Sequence, residues 1–533
     1  MLSYDAGETS PPLLDETIGG NLARTAAAFG DREALVECAT GRRWTYGSFY
    51  EATRRIASGL IAGGTKPGER IGIWAPNCAE WTMIQYATAQ AGAILVNINP
   101  AYRTDELEFA LNQSSVSAVF AAPSFKGSDY AAMLSIVRGR CPALSEVVVI
   151  GGEAWQEVAD TATDEDALTR VGSGLRPGDP INIQYTSGTT GFPKGATLTH
   201  TNILNNGYLV GELLDYTEED RVCIPVPFYH CFGMVMGNLA CTSHGAAMVI
   251  PAPGFEPEAT LKAVAQQGAT SLYGVPTMFI AELGLPNFDS FDLSTLRAGI
   301  MAGSPCPEQV MRNVIDRMHM RDVAICYGMT ETSPVSTQTR PTDSLQRRVT
   351  TVGRVGPHLE VQVVDDSGAQ VERGTAGELC TRGYSVMLGY WGEADKTAEA
   401  IDADGWMHTG DIAVMDDDGY LAITGRIKDM VIRGGENIYP REIEEFLYRH
   451  PDIVDAQVVG VPDEKYGEEL MVWLRIRDGA EPPTAESLRA FCAGRIAHHK
   501  IPRYVQIVDE FPLTVTGKVR KVELRRRGEA LLR

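Results

Sequence analysis

The sequence predicts an α/β fold: a large N-terminal domain of helix-covered sheets that includes a β subdomain, then a small α+β C-terminal domain. Predicted strands and helices alternate over residues 70–122 and again after residue 203, which is typical of parallel sheets covered by helices. Over residues 352–425 the pattern changes to short strands and turns. A chain of 533 residues is also too long for one hydrophobic core. We therefore expect an N-terminal domain at residues 1–425, with the β subdomain at 352–425, and a C-terminal domain at 426–533.

The first part of the chain supplies the first predicted sheet. Residues 1–20 form a polar arm, and residues 151–179 are acidic and rich in glycine, which predicts a surface excursion. Apolar residues at helical spacing predict helices at residues 21–29, 48–62, 80–91 and 104–112. Short apolar runs predict strands at residues 43–46, 70–75, 93–98, 116–122 and 146–150.

The later part of the chain repeats the alternation and then changes. Helices are predicted near residues 203–214 and 258–267, an apolar, proline-rich stretch at 223–236, and a strand at 246–250. Residues 296–305 and 323–331 each predict a strand that ends in a polar turn, where ligands of such sheets bind. In the last domain, a helix begins near Pro440 and buries Ile443, Phe446 and Leu447. Strands at 454–461, 470–476 and 504–508 and a helix at 485–496 follow.

Composition excludes several classes of protein. The net charge of −22 disfavours binding to nucleic acid, which is itself a polyanion. An anionic substrate must therefore bind where positive charge is concentrated locally. The ten cysteines form no C-x-x-C pair, which argues against a zinc site or a disulfide scaffold and fits a reducing, cytoplasmic location. Residues 1–20 do not have the features of a targeting peptide, and no apolar run is long enough to cross a bilayer. Peripheral membrane contact and a homodimer stay open.

The segment Tyr-Thr-Ser-Gly-Thr-Thr-Gly-Phe-Pro-Lys-Gly at residues 185–195 has the composition of a phosphate-binding loop. Glycines let backbone N–H groups turn toward an anion, hydroxyls donate further hydrogen bonds, and a lysine adds positive charge. It is not a Walker A loop, because Pro193 precedes Lys194. The alternative is a flexible linker, which has no need of a lysine behind a proline. The candidate phosphate ligands are Thr186, Ser187, Gly188, Thr189, Thr190, Gly191 and Lys194.

Further segments suit a nucleotide site, although each alone would be an ordinary turn or a solvated surface. An aromatic ring can lie against adenine, a carboxylate can accept two hydrogen bonds from ribose hydroxyls, and an arginine can make a forked contact. The segments are Gly303-Ser304-Pro305, Tyr327-Gly328-Met329-Thr330-Glu331, Thr409-Gly410-Asp411, the run 425–440 that begins Gly425-Arg426, and Thr516-Gly517-Lys518.

Taken in this order along the whole chain, the motifs resemble the adenylate-forming superfamily of acyl-CoA synthetases, aryl-CoA ligases, luciferases and peptide-synthetase adenylation domains. The resemblance is strongest to the medium-chain branch called acyl-CoA synthetase family member two. It rests on Tyr229-His230-Cys231, on the runs at 180–185 and 388–392, and on Arg-Gly-Gly-Glu-Asn-Ile-Tyr-Pro at 433–440. The resemblance implies the superfamily fold, with a β-barrel-like subdomain and a C-terminal domain on a hinge.

The resemblance also implies an acid–thiol ligase reaction in two halves. A carboxylic acid attacks ATP to give an acyl adenylate and pyrophosphate, and the thiol of coenzyme A then displaces AMP. It implies Mg²⁺ held by Thr186 and Glu331, with Lys518 stabilising charge at the α-phosphate. The implied adenine and ribose residues are Gly303, Ser304, Pro305, Tyr327, Gly328, Met329, Thr330, Asp411 and Arg426. The implied hinge and coenzyme A residues are Lys428, Arg433, Gly434, Gly435 and Glu436.

The acyl group is expected in an apolar pocket, which suits an alkyl chain. We expect its walls to be Tyr229, His230, Phe232, Gly233, Met236, Gly274, Val275, Met329 and Pro334. His230 is expected near the substrate carboxylate, and a buried structural histidine is the alternative. The resemblance favours medium-chain fatty acids.

Several other functions stay open at this point. They are a coenzyme A ligase for aryl, branched or longer acids, a luciferase, and a free-standing adenylation enzyme. An amino-acid adenylation domain would want an acidic residue near residues 228–232, where this chain has His230 and no aspartate. A non-enzymatic protein of this fold would be expected to lose Lys518 or Glu331, and both are present.

Overall fold

The structure is a computed structural model that describes residues 1–186, 193–304, 306–433, 436–513 and 519–532, with residues 436 and 437 described by their backbone alone. The chain divides into two compact units. The larger comprises Asp5–Val361 and Thr381–Met407, and the smaller comprises Met1–Tyr4, Gln362–Cys380 and His408–Arg533. The unit boundary falls inside several strands of the region predicted as a β subdomain.

The secondary structure is numbered in chain order. The strands are β1 Tyr4–Ala6, β2 Glu33–Glu37, β3 Arg42–Thr45, β4 Arg70–Trp74, β5 Ile94–Asn97, β6 Ala118–Ala121, β7 Ser124–Phe125, β8 Ser128–Asp129, β9 Glu146–Val149, β10 Pro180–Thr186, β11 Lys194–Thr199, β12 Arg221–Cys223, β13 Ala247–Ile250, β14 Ser271–Gly274, β15 Ala298–Ala302, β16 Asp322–Gly328, β17 Val335–Gln338, β18 Arg354–Val355, β19 Leu359–Val364, β20 Ala376–Gly383, β21 Gly389–Tyr390, β22 Met407–Met415, β23 Leu421–Arg426, β24 Val431–Arg433, β25 Glu436–Ile438, β26 Ile453–Asp463, β27 Gly467–Ile476 and β28 Tyr504–Ile507. The helices are α1 Ile18–Phe29, α2 Tyr46–Ala62, α3 Ala79–Gln90, α4 Thr104–Gln113, α5 Tyr130–Arg138, α6 Glu153–Ala159, α7 Glu165–Gly172, α8 His200–Glu212, α9 Ala240–His244, α10 Pro257–Gln267, α11 Pro276–Leu283, α12 Glu308–Arg317, α13 Leu345–Thr350, α14 Ala394–Ala400, α15 Pro440–Leu447, α16 Ala485–Cys492 and α17 Lys521–Leu531.

A seven-stranded sheet in the larger unit has the order β21-β11-β10-β5-β4-β6-β9. The five strands from β10 to β9 are parallel, and β11 and β21 add to the β10 edge in antiparallel fashion. The helix α3 is buried on nearly all sides, with Trp81 and Tyr86 wholly inside, which explains why its sequence lacks a polar face. The predicted parallel, helix-covered sheet is confirmed.

A nine-stranded sheet in the same unit has the order β18-β17-β16-β15-β14-β12-β13-β2-β3. The six strands from β16 to β2 are parallel, and the flanking strands are antiparallel. Gly274 lies opposite Met301, and Ala302 lies opposite Cys326, so β14, β15 and β16 end at the same edge of the sheet. Sequence reasoning missed β2, a strand of only five residues that begins and ends with glutamate.

Two sequence predictions of local structure were wrong, and a π-helix was not predicted. Residues 151–179, expected as a surface excursion, contain α6 and α7. The side chain of Asp164 caps α7, and Trp155 buries α6 against the core. The apolar stretch at 223–236 runs into a π-helix, Phe232–Leu239. The helix expected to reach residue 496 ends at Cys492.

Two further sheets contain residues of the smaller unit, and the unit boundary divides several strands of the first. One has the order β1-β19-β20-β22-β23, and the other has the order β25-β24-β27-β26 with β28 parallel to β27. Ile443, Phe446 and Leu447 of α15 are buried, as predicted. The basic run at 525–527 lies in α17. This helix buries Leu524, and its Arg525 pairs with Glu468.

Glu282 of α11 is a buried carboxyl group at 1% exposure, and neither of its oxygens has a hydrogen-bond partner among the described residues. Burial raises the pKa of Glu282 well above its usual value, because water no longer solvates the charged form. In the folded state the Glu282 carboxyl group therefore keeps a proton that it loses in the unfolded chain once the pH exceeds the unfolded pKa of about 4.3. Stability linked to Glu282 is fully present below that value and is lost as pH rises toward the folded pKa.

We predict that Glu282→Gln, which needs no proton, is stabilised relative to wild type by an amount that grows with pH. The gain should increase by about 1.4 kcal/mol for each pH unit above the unfolded pKa. Urea unfolding at pH 5.5 and pH 7.5 measures this, with the exposed Glu258→Gln as control. A gain that is the same at both pH values would contradict the prediction.

Candidate active site

The predicted phosphate loop joins β10 to β11, which pair in antiparallel fashion with Thr186 opposite Lys194. This places Thr186 and Lys194 at the two ends of the loop, where both side chains are partly buried. The ammonium group of Lys194 lies 4.3 Å from the ring centroid of Tyr390, within the range of a cation–π contact. The predicted ligands Ser187, Gly188, Thr189, Thr190 and Gly191 lie outside the described residues.

Glu331 is the centre of the site in the larger unit. It lies on a short 3-10 helix, Thr330–Thr332, directly after β16, and is 5% exposed. Its Oε1 accepts a hydrogen bond of 2.8 Å from the Tyr390 hydroxyl and lies 3.4 Å from Oγ1 of Thr186. The structure therefore brings together Thr186 and Glu331, the two residues predicted to bind the metal. A carboxylate beside a hydroxyl offers the oxygen ligands that Mg²⁺ prefers.

Sequence reasoning did not assign Tyr390 to the site. Its hydroxyl holds the Glu331 carboxylate, while the Met387 N–H donates to the Glu331 carbonyl at 2.9 Å. Burial and the neighbouring Glu331 carboxylate raise the pKa of Tyr390, so this phenol stays a hydrogen-bond donor. The Gly-Tyr-Trp run was the available signal, but only its place in the fold assigns the contact.

The expected adenine segments emerge side by side, because they follow the adjacent parallel strands β15 and β16. Gly303 and Ser304 are exposed just beyond β15, and Gly303 has a φ of +90°, which favours glycine. Tyr327 and Gly328 end β16. A Cβ on Gly328 would lie 1.8 Å from the carbonyl oxygen of Pro334, so only glycine fits there. Pro305 lies outside the described residues.

The expected acyl residues come from three neighbouring places. Tyr229 and His230 lie in the loop before the π-helix, which carries Phe232, Gly233 and Met236. Gly274 ends β14, with Val275 next in the chain, while Met329 and Pro334 flank the 3-10 helix of Glu331. A Cβ on Gly233 would lie 2.4 Å from the Pro227 carbonyl oxygen, so glycine lets the π-helix pack closely there. The rings of Phe232 and Tyr273 stack with centroids 5.7 Å apart, and sequence reasoning missed Tyr273.

His230 is half-buried, and its ring orientation is fixed by the backbone. Its Nδ1 accepts the N–H of Phe232 at 3.2 Å, so the neutral ring carries its proton on Nε2. Sγ of Cys231 lies 3.6 Å from the same Nδ1. A histidine held in this tautomer presents an N–H donor, which suits a carboxylate acceptor.

The remaining predicted residues lie in the smaller unit. Asp411 is 8% exposed in its side chain, and it accepts a hydrogen bond of 2.8 Å from Nε of Arg426, its partner across β22 and β23. Glu378, which sequence reasoning missed, accepts the Gly410 N–H at 3.0 Å and contacts Nδ1 of His408 at 2.8 Å. Lys428 is exposed on a 3-10 turn.

Four other predicted residues lie wholly or partly outside the described part of the chain. Lys518, Gly434 and Gly435 lie outside the described residues, as does the side chain of Glu436. Arg433, just before the glycine pair, is described and forms an ion pair with Glu469.

Family models match both parts of the chain. The model described as AMP-binding enzyme matches residues 22–391, and the model described as AMP-binding enzyme C-terminal domain matches residues 442–518. The chain belongs to the AMP-binding enzyme family. In the described part of this family member, no helix has both the length and the apolar character needed to cross a membrane.

Similar proteins match along almost their whole length. YngI of Bacillus subtilis (strain 168), described as a candidate acyl-CoA synthetase, is 50% identical over 96% of this chain and 97% of its own. The mitochondrial medium-chain acyl-CoA ligase of Danio rerio is 45% identical over 99% and 91%. The crystal structure of the anthranilate CoA ligase AuaEII with anthranoyl-AMP has a TM-score of 0.88 at 26% identity, covering 98% of this chain and 99% of that one. The predicted adenylate-forming fold is thereby confirmed.

We predict that Tyr390→Phe weakens Mg²⁺ binding at the candidate metal ligands Thr186 and Glu331 without unfolding the protein. Loss of the hydroxyl leaves Glu331 without its 2.8 Å donor, so the carboxylate should lose its fixed orientation. Losing such a supporting hydrogen bond typically costs on the order of 10-fold in metal affinity or activity. ATP–pyrophosphate exchange measured against Mg²⁺ concentration should show a higher Mg²⁺ requirement.

The matched control is Tyr130→Phe, which removes another buried hydroxyl, one that donates to the Pro100 carbonyl at 2.6 Å. An unchanged Mg²⁺ dependence in Tyr390→Phe would contradict the role assigned to Tyr390.

Proposed function

We propose that this protein is a fatty acyl-CoA synthetase. It would convert a carboxylic acid, ATP and coenzyme A into acyl-CoA, AMP and pyrophosphate through an acyl adenylate. The observation that carries the proposal is the cluster of Thr186, Glu331 and Tyr390 beside the ends of the phosphate loop and the adenine segments. The names of its relatives, acyl-CoA synthetase and medium-chain acyl-CoA ligase, support the same reaction.

In the first half-reaction the protein positions ATP and the acid and stabilises negative charge. Lys194 and the loop N–H groups would hold the phosphates, while Nε2–H of His230 would orient the acid's carboxylate. Tyr327 and the Gly303-Ser304 segment would line the adenine, and the Asp411 carboxylate would accept the ribose hydroxyls. Lys518 would neutralise charge between the attacking carboxylate and the α-phosphate.

Magnesium fits the donors present. The Glu331 carboxylate, held by Tyr390, and the Thr186 hydroxyl are hard oxygen donors, and Mg²⁺ usually takes few protein ligands together with phosphate oxygens. When bound, Mg²⁺ would supply charge neutralisation at the phosphates.

In the second half-reaction the coenzyme A thiol displaces AMP from the adenylate. We propose that residues 426–533 rotate about Lys428, so that Gly434 and Gly435 replace Lys518 beside the substrate. The boundary at 425/426 is part of this proposal. A cytoplasmic location is also proposed, from the ten cysteines without a C-x-x-C pair.

The proposed substrates are medium-chain fatty acids. Phe232 and Met236 are large and buried on the π-helix, and Val275 and Met329 are apolar, which suits an alkyl chain of limited length. The neighbourhood of His230 contains no aspartate in the run 228–232, which disfavours an amino-acid substrate.

We predict that Lys518→Ala affects one half-reaction only. Adenylate formation should fall by on the order of 100-fold or more, the scale of losing one transition-state charge partner. Conversion of supplied acyl adenylate to acyl-CoA should persist. The control is the exposed Lys465→Ala in the same unit. Equal losses in both half-reactions would rule out the role.

We predict a chain-length optimum near C8–C12, with acetate and amino acids very poor substrates. Each buried methylene contributes about 0.8 kcal/mol, so kcat/KM should rise roughly fourfold per carbon until the pocket is full. The measurement is kcat/KM over a series of fatty acids from C4 to C18, with aryl acids alongside.

Met236→Ala should move this optimum to longer chains, whereas Met248→Ala, a buried methionine on β13, should not. A flat series, or a preference for aryl or amino acids, would overturn the substrate class and leave the adenylation chemistry standing.

A further inference from the structure

Arg433 of β24 forms a buried ion pair with Glu469 of β27. Nε of Arg433 lies 2.6 Å from Oε1, and Nη2 donates to Oε2 at 2.9 Å, so the guanidinium contacts both carboxylate oxygens. The Glu469 side chain has no exposed surface, and that of Arg433 is 14% exposed. A carboxylate buried this deeply needs such a partner, because an unpaired buried charge is strongly destabilising.

The sheet explains how the two side chains meet. Arg433 pairs with Gly467 on β27, and Glu469 follows Gly467 by two residues, on the same face of the strand. Because Gly467 has no side chain, the long Arg433 side chain can lie diagonally across the strand to reach the carboxylate. Glu469 Oε1 also accepts the N–H of Leu470 at 2.9 Å. The carboxylate is thus fixed from two directions.

The other contacts of Arg433 occupy the rest of its guanidinium. Nη1 donates to the His499 carbonyl at 3.4 Å, and the group lies 4.7 Å from the ring centroid of Tyr466. Beside it, Glu468 accepts the backbone N–H of Ile432 at 2.9 Å. Consecutive residues of β24 are therefore held by consecutive carboxylates of β27.

Arg433 directly precedes the two glycines Gly434 and Gly435 in the chain. Arg433 pairs with Glu436 across β24 and β25, so residues 434 and 435 are the two that join these strands. They are the glycines assigned to thioester formation under the proposed function. An anchor at Arg433 thus holds the residue directly before the two glycines.

We propose that Glu469 is a positioning residue for the thioester-forming half-reaction, which acts by holding Arg433, the residue directly before Gly434 and Gly435. In this proposal Arg433 has a structural role as the ion-pair partner of Glu469 and does not bind the phosphates of coenzyme A. The proposal rests on the proposed function and adds to it a residue that no motif indicated. Glu469 touches no substrate in this account.

The test compares the two half-reactions in Glu469→Gln, which keeps the shape of the side chain and removes its charge. Conversion of supplied acyl adenylate and coenzyme A to acyl-CoA should slow by about 10- to 100-fold, the scale of a small misplacement near the chemistry. ATP–pyrophosphate exchange should stay within about twofold, and the loss should appear in kcat with little change in KM for coenzyme A.

Arg433→Met should reproduce this pattern, and the double variant Arg433→Met/Glu469→Gln should be no slower than the slower single variant, because both remove one interaction. Glu469→Asp, which keeps the charge, should restore part of the rate. The control is Glu442→Gln, which breaks the half-exposed ion pair with Lys500 in the same unit.

Two results would overturn the proposal. If Arg433 binds coenzyme A directly, Arg433→Met will raise KM for coenzyme A while Glu469→Gln will not. If the ion pair only keeps the unit folded, both half-reactions will fall together. Neither result resembles failure of the proposed function, in which wild-type protein makes no acyl-CoA from any acid.

Discussion

The buried carboxylate of Glu331 is the constraint on which the larger unit's site depends. It follows the last parallel strand of the nine-stranded sheet, yet its Oε1 meets Thr186 and Tyr390, which belong to the seven-stranded sheet. A carboxylate at 5% exposure must be satisfied, and the Tyr390 hydroxyl does so while leaving oxygen lone pairs directed toward Thr186. The same residue thus ties the two sheets together and supplies the oxygen donors of the proposed metal site.

The parallel arrangement of the nine-stranded sheet explains why distant motifs meet. The segments after β15 and β16 are separated along the chain by α12, but adjacent parallel strands end at one edge. The phosphate loop joins β10 to β11 of the other sheet, and Thr186 at its start lies 3.4 Å from Glu331, which follows β16. Close backbone approaches, such as Gly328 against Pro334, set the shape of these segments.

Sequence reasoning predicted the parts of the site that depend on local chemistry. Glycine-rich turns, a lysine behind a proline, and carboxylates after strands have recognisable patterns, and the structure brings Thr186 and Glu331 together. It did not predict the supporting contacts. Tyr390 lies 59 residues from Glu331, and Glu469 lies 36 residues from Arg433, so no local pattern marks these pairs. The π-helix and the missed helices α6 and α7 were hidden for another reason, since the stretch at 223–236 is rich in proline and the segment at 151–179 is rich in glycine and acid.

Buried carboxyl groups that have hydrogen-bond partners and those that lack them are expected to respond differently to mutation in this protein. The carboxylates of Glu331 and Glu469 have hydrogen-bond donors in Tyr390 and Arg433, and they lie beside segments to which the proposed function assigns roles. Glu282 has no hydrogen-bond partner among the described residues and is kept neutral by burial, so its effect is on stability and on pH. Conservative variants at these positions therefore distinguish residues that orient functional groups, whose loss changes activity, from residues whose loss changes only the stability of the fold.

The central claim is that this protein activates a fatty acid as an adenylate and then transfers it to coenzyme A. A single-turnover experiment tests it most directly: enzyme in excess is mixed with ATP labelled at the α-phosphate, Mg²⁺ and decanoate, quenched at intervals, and then supplied with coenzyme A. The account predicts that decanoyl-AMP accumulates on the enzyme and is replaced by AMP and decanoyl-CoA in equal amounts. Release of ADP, or formation of decanoyl-CoA with no labelled adenylate before it, would contradict the account.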